Sequence, residues 1–395
     1  MKTSKFLLSF FTLALLLVGC AADDTADVII NQQGGAPSTP TDPTTDTTEI
    51  GGTLTEDLTL EAGTEYKLIS ALIVPDGLTL TIDPGTVIRA IAGADVYVAI
   101  MQGGKIMAEG TSTNPIVFTS DSATPNPGDW GGLIVLGKAP INSVTGGGAT
   151  STSEIGGLPY GGSMADDNSG IIKYLRVEYS GGAADASSEN NGFSFYGVGS
   201  GTVIEYIQAF EGKDDGVEFF GGTVDASFIS VIGAQDDSID WTEGFTGTLT
   251  NVYVEHRQLH DKGIEGDGFN TDIGNNSNPL FWSAPNINNI TINGNGSSND
   301  NEAVRLRAGT RVLFNNVLIS SFAEGFDLDS DGADSPTGQG VLDGETGVTD
   351  ITFEDTILNL KNDTGEVFEE TDFFSGVGNG TGANYSSWNN GWTRN

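Results

Sequence analysis

The sequence predicts an all-β chain wound as a parallel β-helix, and three observations carry that prediction. Glycine occupies 56 of 395 positions, about twice its usual share of roughly 7%, which favours turns over helices. Short β-rich runs such as Leu78-Thr79-Leu80-Thr81-Ile82, Val203-Ile204-Glu205-Tyr206-Ile207 and Val312-Leu313-Phe314 alternate with clusters of Gly, Asn and Asp, and no long amphipathic helix is evident. The third observation is self-similarity. Asn191-Gly192-Phe193-Ser194-Phe195 recurs as Asp215-Gly216-Val217-Glu218-Phe219, Asp237-Ser238-Ile239-Asp240-Trp241, Asp267-Gly268-Phe269-Asn270-Thr271, Glu302-Ala303-Val304-Arg305-Leu306 and Glu324-Gly325-Phe326-Asp327-Leu328. The central apolar residues, at 193, 217, 239, 269, 304 and 326, are 24, 22, 30, 35 and 22 residues apart. A base period of about 22–24 residues fits one coil of a solenoid, and the longer intervals are insertions. Strand alternation turns Val217 and Phe219 inward and Glu218 outward.

In chain order, the first element is an address. Lys2 and Lys5 precede the apolar run Phe6 to Val18, which is too short to remain in a bilayer and has the build of a signal peptide, residues 1–19. The run ends in Leu17-Val18-Gly19-Cys20, and Cys20 is the only cysteine of the chain. This resembles the bacterial lipobox, which implies cleavage before Cys20, its acylation and stable anchoring by several acyl chains. Ala21 in the second mature position implies the outer membrane. Asp23-Asp24 resemble the surface-export signals of Bacteroidota lipoproteins, which implies display on the cell exterior. Residues 20–52, with Pro37, Pro40, Pro43 and neighbouring Thr and Asp, read as an extended tether.

The solenoid is expected over 53–360, roughly a dozen coils at about one coil per period. Its opening coils carry Leu78-Thr79-Leu80-Thr81-Ile82-Asp83-Pro84-Gly85-Thr86-Val87-Ile88, then Gly104-Lys105-Ile106-Met107-Ala108-Glu109-Gly110-Thr111 and Gly128-Asp129-Trp130-Gly131-Gly132-Leu133-Ile134-Val135-Leu136-Gly137. These resemble a family of largely uncharacterised bacterial lipoproteins with a right-handed parallel β-helix. The resemblance implies the fold and no established reaction. By analogy it implies work beside an outer-membrane transporter or on surface glycans. Residues 361–395, with Phe373, Phe374, Trp388 and Trp392, are expected to cap the C-terminal end.

Composition restricts the chemistry. Asp and Glu total 54 against 16 Lys and Arg, a net charge of −38, so a nucleic-acid partner is excluded by repulsion. One cysteine forbids an internal disulfide, and two histidines leave little for a His-rich zinc site. The repeat places Asn191, Asp215, Asp237, Asp267, Glu302 and Glu324 in one column before the strands. Like charges stacked one coil apart repel. Either the acids serve turn geometry, as Asp before Gly does, or a cation such as Ca²⁺ neutralises them, with Asp215, Asp237 and Asp267 as ligands. Asp327-Leu328-Asp329-Ser330-Asp331-Gly332 matches the opening of a calcium loop, with Gly338 where the twelfth-position Glu belongs, so Asp327, Asp329 and Asp331 are further ligand candidates.

An outward column of Ser194, Glu218, Asp240, Asn270, Arg305 and Asp327 reads as a solvated face or as the groove of a polysaccharide enzyme. The insertions hold both histidines, His256 and His260, together with Arg257, Lys262 and Trp282. Long loops on a rigid repeat commonly form the binding surface. A site is therefore expected around His256, His260, Asn270 and Trp282. Glu218, Asp240, Arg257, Lys262 and Arg305 are its catalytic candidates. No nucleophile elbow, P-loop or dinucleotide fingerprint is present. The leading reading is a surface lipoprotein acting as a binding or scaffold module. The alternative is a β-helix polysaccharide lyase or glycoside hydrolase, and a further alternative is an adhesin.

Overall fold

The computed structural model describes residues 47–143, 150–184, 188–270, 281–298, 301–329 and 336–395. Strands of successive coils pair in parallel from Thr47–Thr53 to Phe374–Val377. From residue 203 each coil has one long strand and one short strand, as in Val203–Phe210 followed by Val217–Phe220. The long strand is bent in the middle. Tyr174, Tyr206, Phe228, Asn251, Asn289, Asn316 and Asp350 all have positive φ there, and pairing skips that position while continuing on both sides. A left-handed residue turns the chain through a corner, so each coil presents three faces.

Inward positions form the core. Val217, Phe219, Ile239 and Trp241 are fully buried, and Phe219 stacks between Phe195 at 5.3 Å and Phe245 at 4.4 Å. Each such side chain contributes about 1.5–3 kcal/mol by leaving water.

The repeat register differs from the sequence expectation at one coil. The short strand that pairs with Ile239–Thr242 on the next coil is Ile264–Asp267, whose inward residue is Ile264. Phe269 and Asn270 therefore lie beyond the strand, and the outward column reads Ser194, Glu218, Asp240, Glu265, Arg305, Asp327, Lys361. Lys262 replaces Asp267 in the pre-strand column. The cause is Gly266. A Cβ there would lie 2.4 Å from the Trp241 ring, so the indole fills the space that the repeat reserves for a second apolar side chain.

The ends also differ. The strand Thr47–Thr53 begins inside the stretch expected as tether, and Leu358–Asp363 and Phe374–Val377 continue the solenoid inside the expected cap. Phe373 and Phe374 pack against Phe326 at the C-terminal end. Trp388 and Trp392 do not cover that end. The segment 385–394 runs back along the outside of earlier coils as a strap, where Trp392 meets the edges of Tyr174 and Tyr206, and Trp388 meets Phe228. Beneath it Tyr174, Tyr206 and Phe228 stack at 4.2 Å intervals. Arg394 bonds Glu178 at 2.8 Å, and Tyr385 stacks on Tyr253 at 3.8 Å.

Candidate active site

The outward face of the short strands changes character along the rod. In the earlier coils it is apolar: Ile134, Leu136, Tyr196 and Phe220 pack with Ile141, Ile155 and Tyr160. That cover includes a hairpin, Ser151–Thr152 paired with Pro159–Tyr160. Beyond Phe220 the same register positions become Thr242, Asp267 and Arg307, and the neighbouring column becomes Glu218, Asp240 and Glu265. A cleft of about 1140 Å³ opens over this boundary. The hairpin residues Ser151, Thr152, Ser153 and Tyr160 line one part of it, and the turns carrying Asp214, Asp236 and Asp261 line another.

Carboxylates dominate the lining. Asp215, Glu218 and Asp240 place oxygens within 4.8 Å of one another, as do Asp237, Asp240 and Glu265. Burial and then repulsion hold Asp215, Glu218, Asp237 and Asp240 above the usual carboxylate range. For Glu218 the chief repelling charge is Asp240, and for Asp240 it is Glu265. Asp215 and Asp237 are raised in the same way, and burial with Glu189 beside it pushes Asp214 up to about 8. Glu218 also accepts a hydrogen bond from Asn191 Nδ2 at 2.6 Å, which favours its anion. Glu243 is buried at the cleft floor, accepts Tyr160 Oη at 2.5 Å and Asn270 Nδ2 at 3.2 Å, and is raised by burial.

The pre-strand acids also organise the turns. Asp215 Oδ1 accepts the amide of Asp237 at 2.9 Å, and Asp237 Oδ1 accepts that of Lys262 at 2.8 Å. Turn chemistry and charge clustering are thus properties of the same residues. Lys262 lies 3.6 Å from Asp237, 2.6 Å from Asp261 and 3.1 Å from Glu265. Burial alone would lower its ammonium, but Asp237, Glu265 and Asp261 outweigh burial and hold it above its usual value. Arg307 pairs with Glu265 and with Asp267 at 2.6 Å, and Arg305 with Asp329 at 2.5 Å.

Several carboxylate groups are geometrically compatible with a divalent cation. Asp214, Asp215 and Asp236 bring oxygens within 4.8 Å, as do Asp215, Glu218 and Asp240, and Asp327, Asp329 and Asp363. Such oxygen donors suit Ca²⁺. At Asp237, Asp240 and Glu265 the Lys262 ammonium already supplies positive charge, so the groups on the Asp215 side fit an ion better.

The cleft therefore gathers Glu218, Asp240, Lys262, Arg305, Asn270, Asp215, Asp237 and Asp267. It does not gather the other sequence candidates. His256 and His260 stack on each other at 4.7 Å, with His256 against Phe322, because His256 follows the long strand Thr248–Glu255 rather than a short one. Arg257 pairs with Glu211 over the Phe210 ring. Trp282 packs against Phe269 and near Arg311. Asp327 and Asp329 lie further along the rod beside Lys361 and Arg305. Asp331 and Cys20 fall outside the described residues. Sequence reasoning missed Glu265, Glu243, Asp214, Asp236 and Asp261. The doublets Asp214-Asp215 and Asp236-Asp237, one coil apart, were the available signal.

The arrangement is a side groove on stacked parallel strands, with acids contributed by successive coils. The sequence pattern of the family described as a pectate-lyase like beta helix domain matches residues 52–393. The chain belongs to this family. No curated protein matches its sequence. For a pectate-lyase-like β-helix, carbohydrate binding or carbohydrate chemistry is the general expectation.

Proposed function

We propose that the cleft cleaves glycosidic bonds by carboxylate chemistry, as a glycoside hydrolase acting on a polysaccharide. One observation carries this reading. Glu218 and Asp240 are register partners on adjacent coils, with oxygens within 4.8 Å, and both sit above the usual carboxylate range in a solvent-connected cleft. Their surroundings divide the roles. Burial first, and then Glu265, Asp237 and Asp267, shift Asp240 toward its protonated form, which suits it to be the general acid that protonates the leaving oxygen. Burial and Asp240 raise Glu218, but the hydrogen bond from Asn191 opposes that rise and favours its anion, the form in which it attacks the anomeric carbon. Water, deprotonated by Asp240, then releases the sugar. The short separation is that of a retaining pair, about 5 Å, rather than an inverting pair, at roughly 6.5–9.5 Å.

The lyase alternative needs a neutral base, and the cations of the cleft are poor ones. Asp237, Glu265 and Asp261 keep Lys262 protonated, and Asp267 and Glu265 do the same for Arg307. If a cation occupies Asp214, Asp215 and Asp236, it supplies charge neutralisation beside the acid pair.

The test is a panel of neutral, uronic and amino polysaccharides. New reducing ends with retained anomeric configuration are expected, and Glu218→Gln or Asp240→Asn removes them. Unsaturated products would replace hydrolysis by elimination. Binding without any product would return the chain to a capture module. The same reading places the protein at the outer surface through an acylated Cys20, supported by Lys2, Lys5 and the apolar run before the sole cysteine. Cys20→Ser is expected to move the protein out of the membrane fraction, and unchanged fractionation would remove the anchor.

A further inference from the structure

The acid pair stands at one end of the cleft and not in its middle. The outward register column that carries it runs Ala99, Ile134, Ser194, Glu218, Asp240, Glu265, Arg305. Ala99, Ile134 and Ser194 are buried, at 3% exposure or less, and Glu218 is the first member of the column to line the cleft. On the other side of the pair the lining continues through Glu265 and Arg305. Those two further coils span about 10 Å at one strand spacing per coil.

The hairpin of Ser151–Thr152 and Pro159–Tyr160 covers the early members. It crosses the face diagonally. At one end Tyr160 Oη donates to Glu243 at 2.5 Å, just past the strand of Asp240. At the other a Cβ on Gly156 would meet Tyr97 Oη at 3.0 Å, beside the strand Val98–Ile100, four coils earlier. Between these points Ile155 and Tyr160 pack with Ile134, Leu136, Tyr196 and Phe220, and the Tyr160 and Tyr196 rings lie 4.8 Å apart. Ser153 holds the turn, donating to Ile155 O at 2.6 Å and accepting the Leu158 amide at 2.9 Å. Thr152 and Glu154 are exposed and line the cleft, so the hairpin stands above the floor as a wall. A polymer passing through would need the groove to continue beyond Glu218, where Ser194 lies buried.

We infer that the cleft works on chain ends, with the hairpin 151–160 as the stop for a terminal sugar. This rests on the proposed function for the roles of Glu218 and Asp240. Asp240 gives its proton to the leaving oxygen on the side where the lining continues, so the rest of the chain departs toward Glu265 and Arg305. Glu218 bonds the anomeric carbon on the side of the stop, so the sugar it holds is the non-reducing terminus. Water then adds at that carbon, its proton returns to Asp240, and one sugar leaves per turnover.

The experiment gives the full chain xylan, polygalacturonate and chitosan. Single sugars are expected from the first time points while the viscosity of the polymer stays nearly constant. A ladder of intermediate lengths with an early fall in viscosity overturns the inference and leaves the hydrolase reading intact. Binding separates the two readings. Calorimetry on the Glu218→Gln protein compares each polymer with its own hexamer. Sites per unit mass are expected to fall in inverse proportion to chain length, because only ends are bound. Sites that follow mass overturn the inference. End-counted binding with no cleavage by the unmutated protein removes the hydrolase reading and leaves the stop standing. Replacing residues 154–157 by Asn-Gly, a two-residue hairpin turn, is expected to open the stop and turn the products into a ladder. A shortened protein that melts cooperatively and still releases only single sugars overturns the inference. The products of the unmutated protein decide the matter where the shortened chain does not fold.

Discussion

Two ladders run along this solenoid on different faces, and the coil repeat amplifies opposite energies in them. On one face Tyr174, Tyr206 and Phe228 stack at 4.2 Å and are clamped by Trp388 and Trp392. On another, Glu218, Asp240 and Glu265 stack in the same register sense and repel. Aromatic rings gain from each added rung, whereas carboxylates lose. A fold that stacks equivalent positions could have used neutral residues in the second ladder, as it does at Ser194 one coil earlier. Retaining the acids costs stability and shifts Glu218 and Asp240 toward their protonated forms, which favours acid catalysis.

The comparison can be broken from either side. The largest effect is expected at the acids. Glu218→Gln or Asp240→Asn should reduce glycan cleavage by about 10²–10⁴-fold, the range of a positioned acid or base, while denaturant melts show unchanged or greater stability. Trp392→Ala should do the opposite. Its indole is fully buried, so about 3–5 kcal/mol of unfolding free energy should be lost, with the cleft chemistry retained in the folded fraction. Loss of activity without loss of stability in this variant would join the two ladders.

The next effect is a pH slope. Burial, with Glu189 beside it, pushes Asp214 up to about 8 in the fold against an ordinary 3.8. The folded state therefore binds more protons than the unfolded state between these values, and stability falls as pH rises through this window. Melting should occur at a higher temperature at pH 5 than at pH 8, and Asp214→Asn should flatten the slope and gain about 1 kcal/mol at pH 8. A steeper loss toward pH 5 would contradict the raised values. The smallest effect is Tyr206→Leu, which keeps apolar bulk and removes ring stacking, and should cost about 0.5–1.5 kcal/mol in equilibrium denaturation.

Much of the solenoid was legible because its signal is local and repeated. Val217, Phe219, Ile239 and Trp241 face inward as their period requires, and Glu218 and Asp240 face outward side by side. The coil at Ile264 was misread because a large side chain in one coil compensates for glycine in the next. Gly266 looks wrong for the template until Trp241 is seen above it, while Asp267-Gly268-Phe269 imitates the template by chance. The loop reasoning reached Lys262 and failed at His256 and Trp282, since a repeat shows where residues are inserted and not which of the three faces they join. The hairpin that bounds the cleft and the strap behind it make contacts across long sequence separations, and no local pattern encodes such pairings.

The strap has a consequence for the order of events in biogenesis. Arg394 reaches back across 216 positions to Glu178. A chain delivered from its N-terminal side winds its coils first and receives their outer clamp last. Until then the Tyr174, Tyr206 and Phe228 rings stand uncovered, although the core beneath them is complete. A product shortened by a few tens of residues keeps most of its coils and shows this apolar strip to chaperones and proteases. The clamp thus ties the exposure of a surface in the earlier coils to the presence of the last residues of the chain.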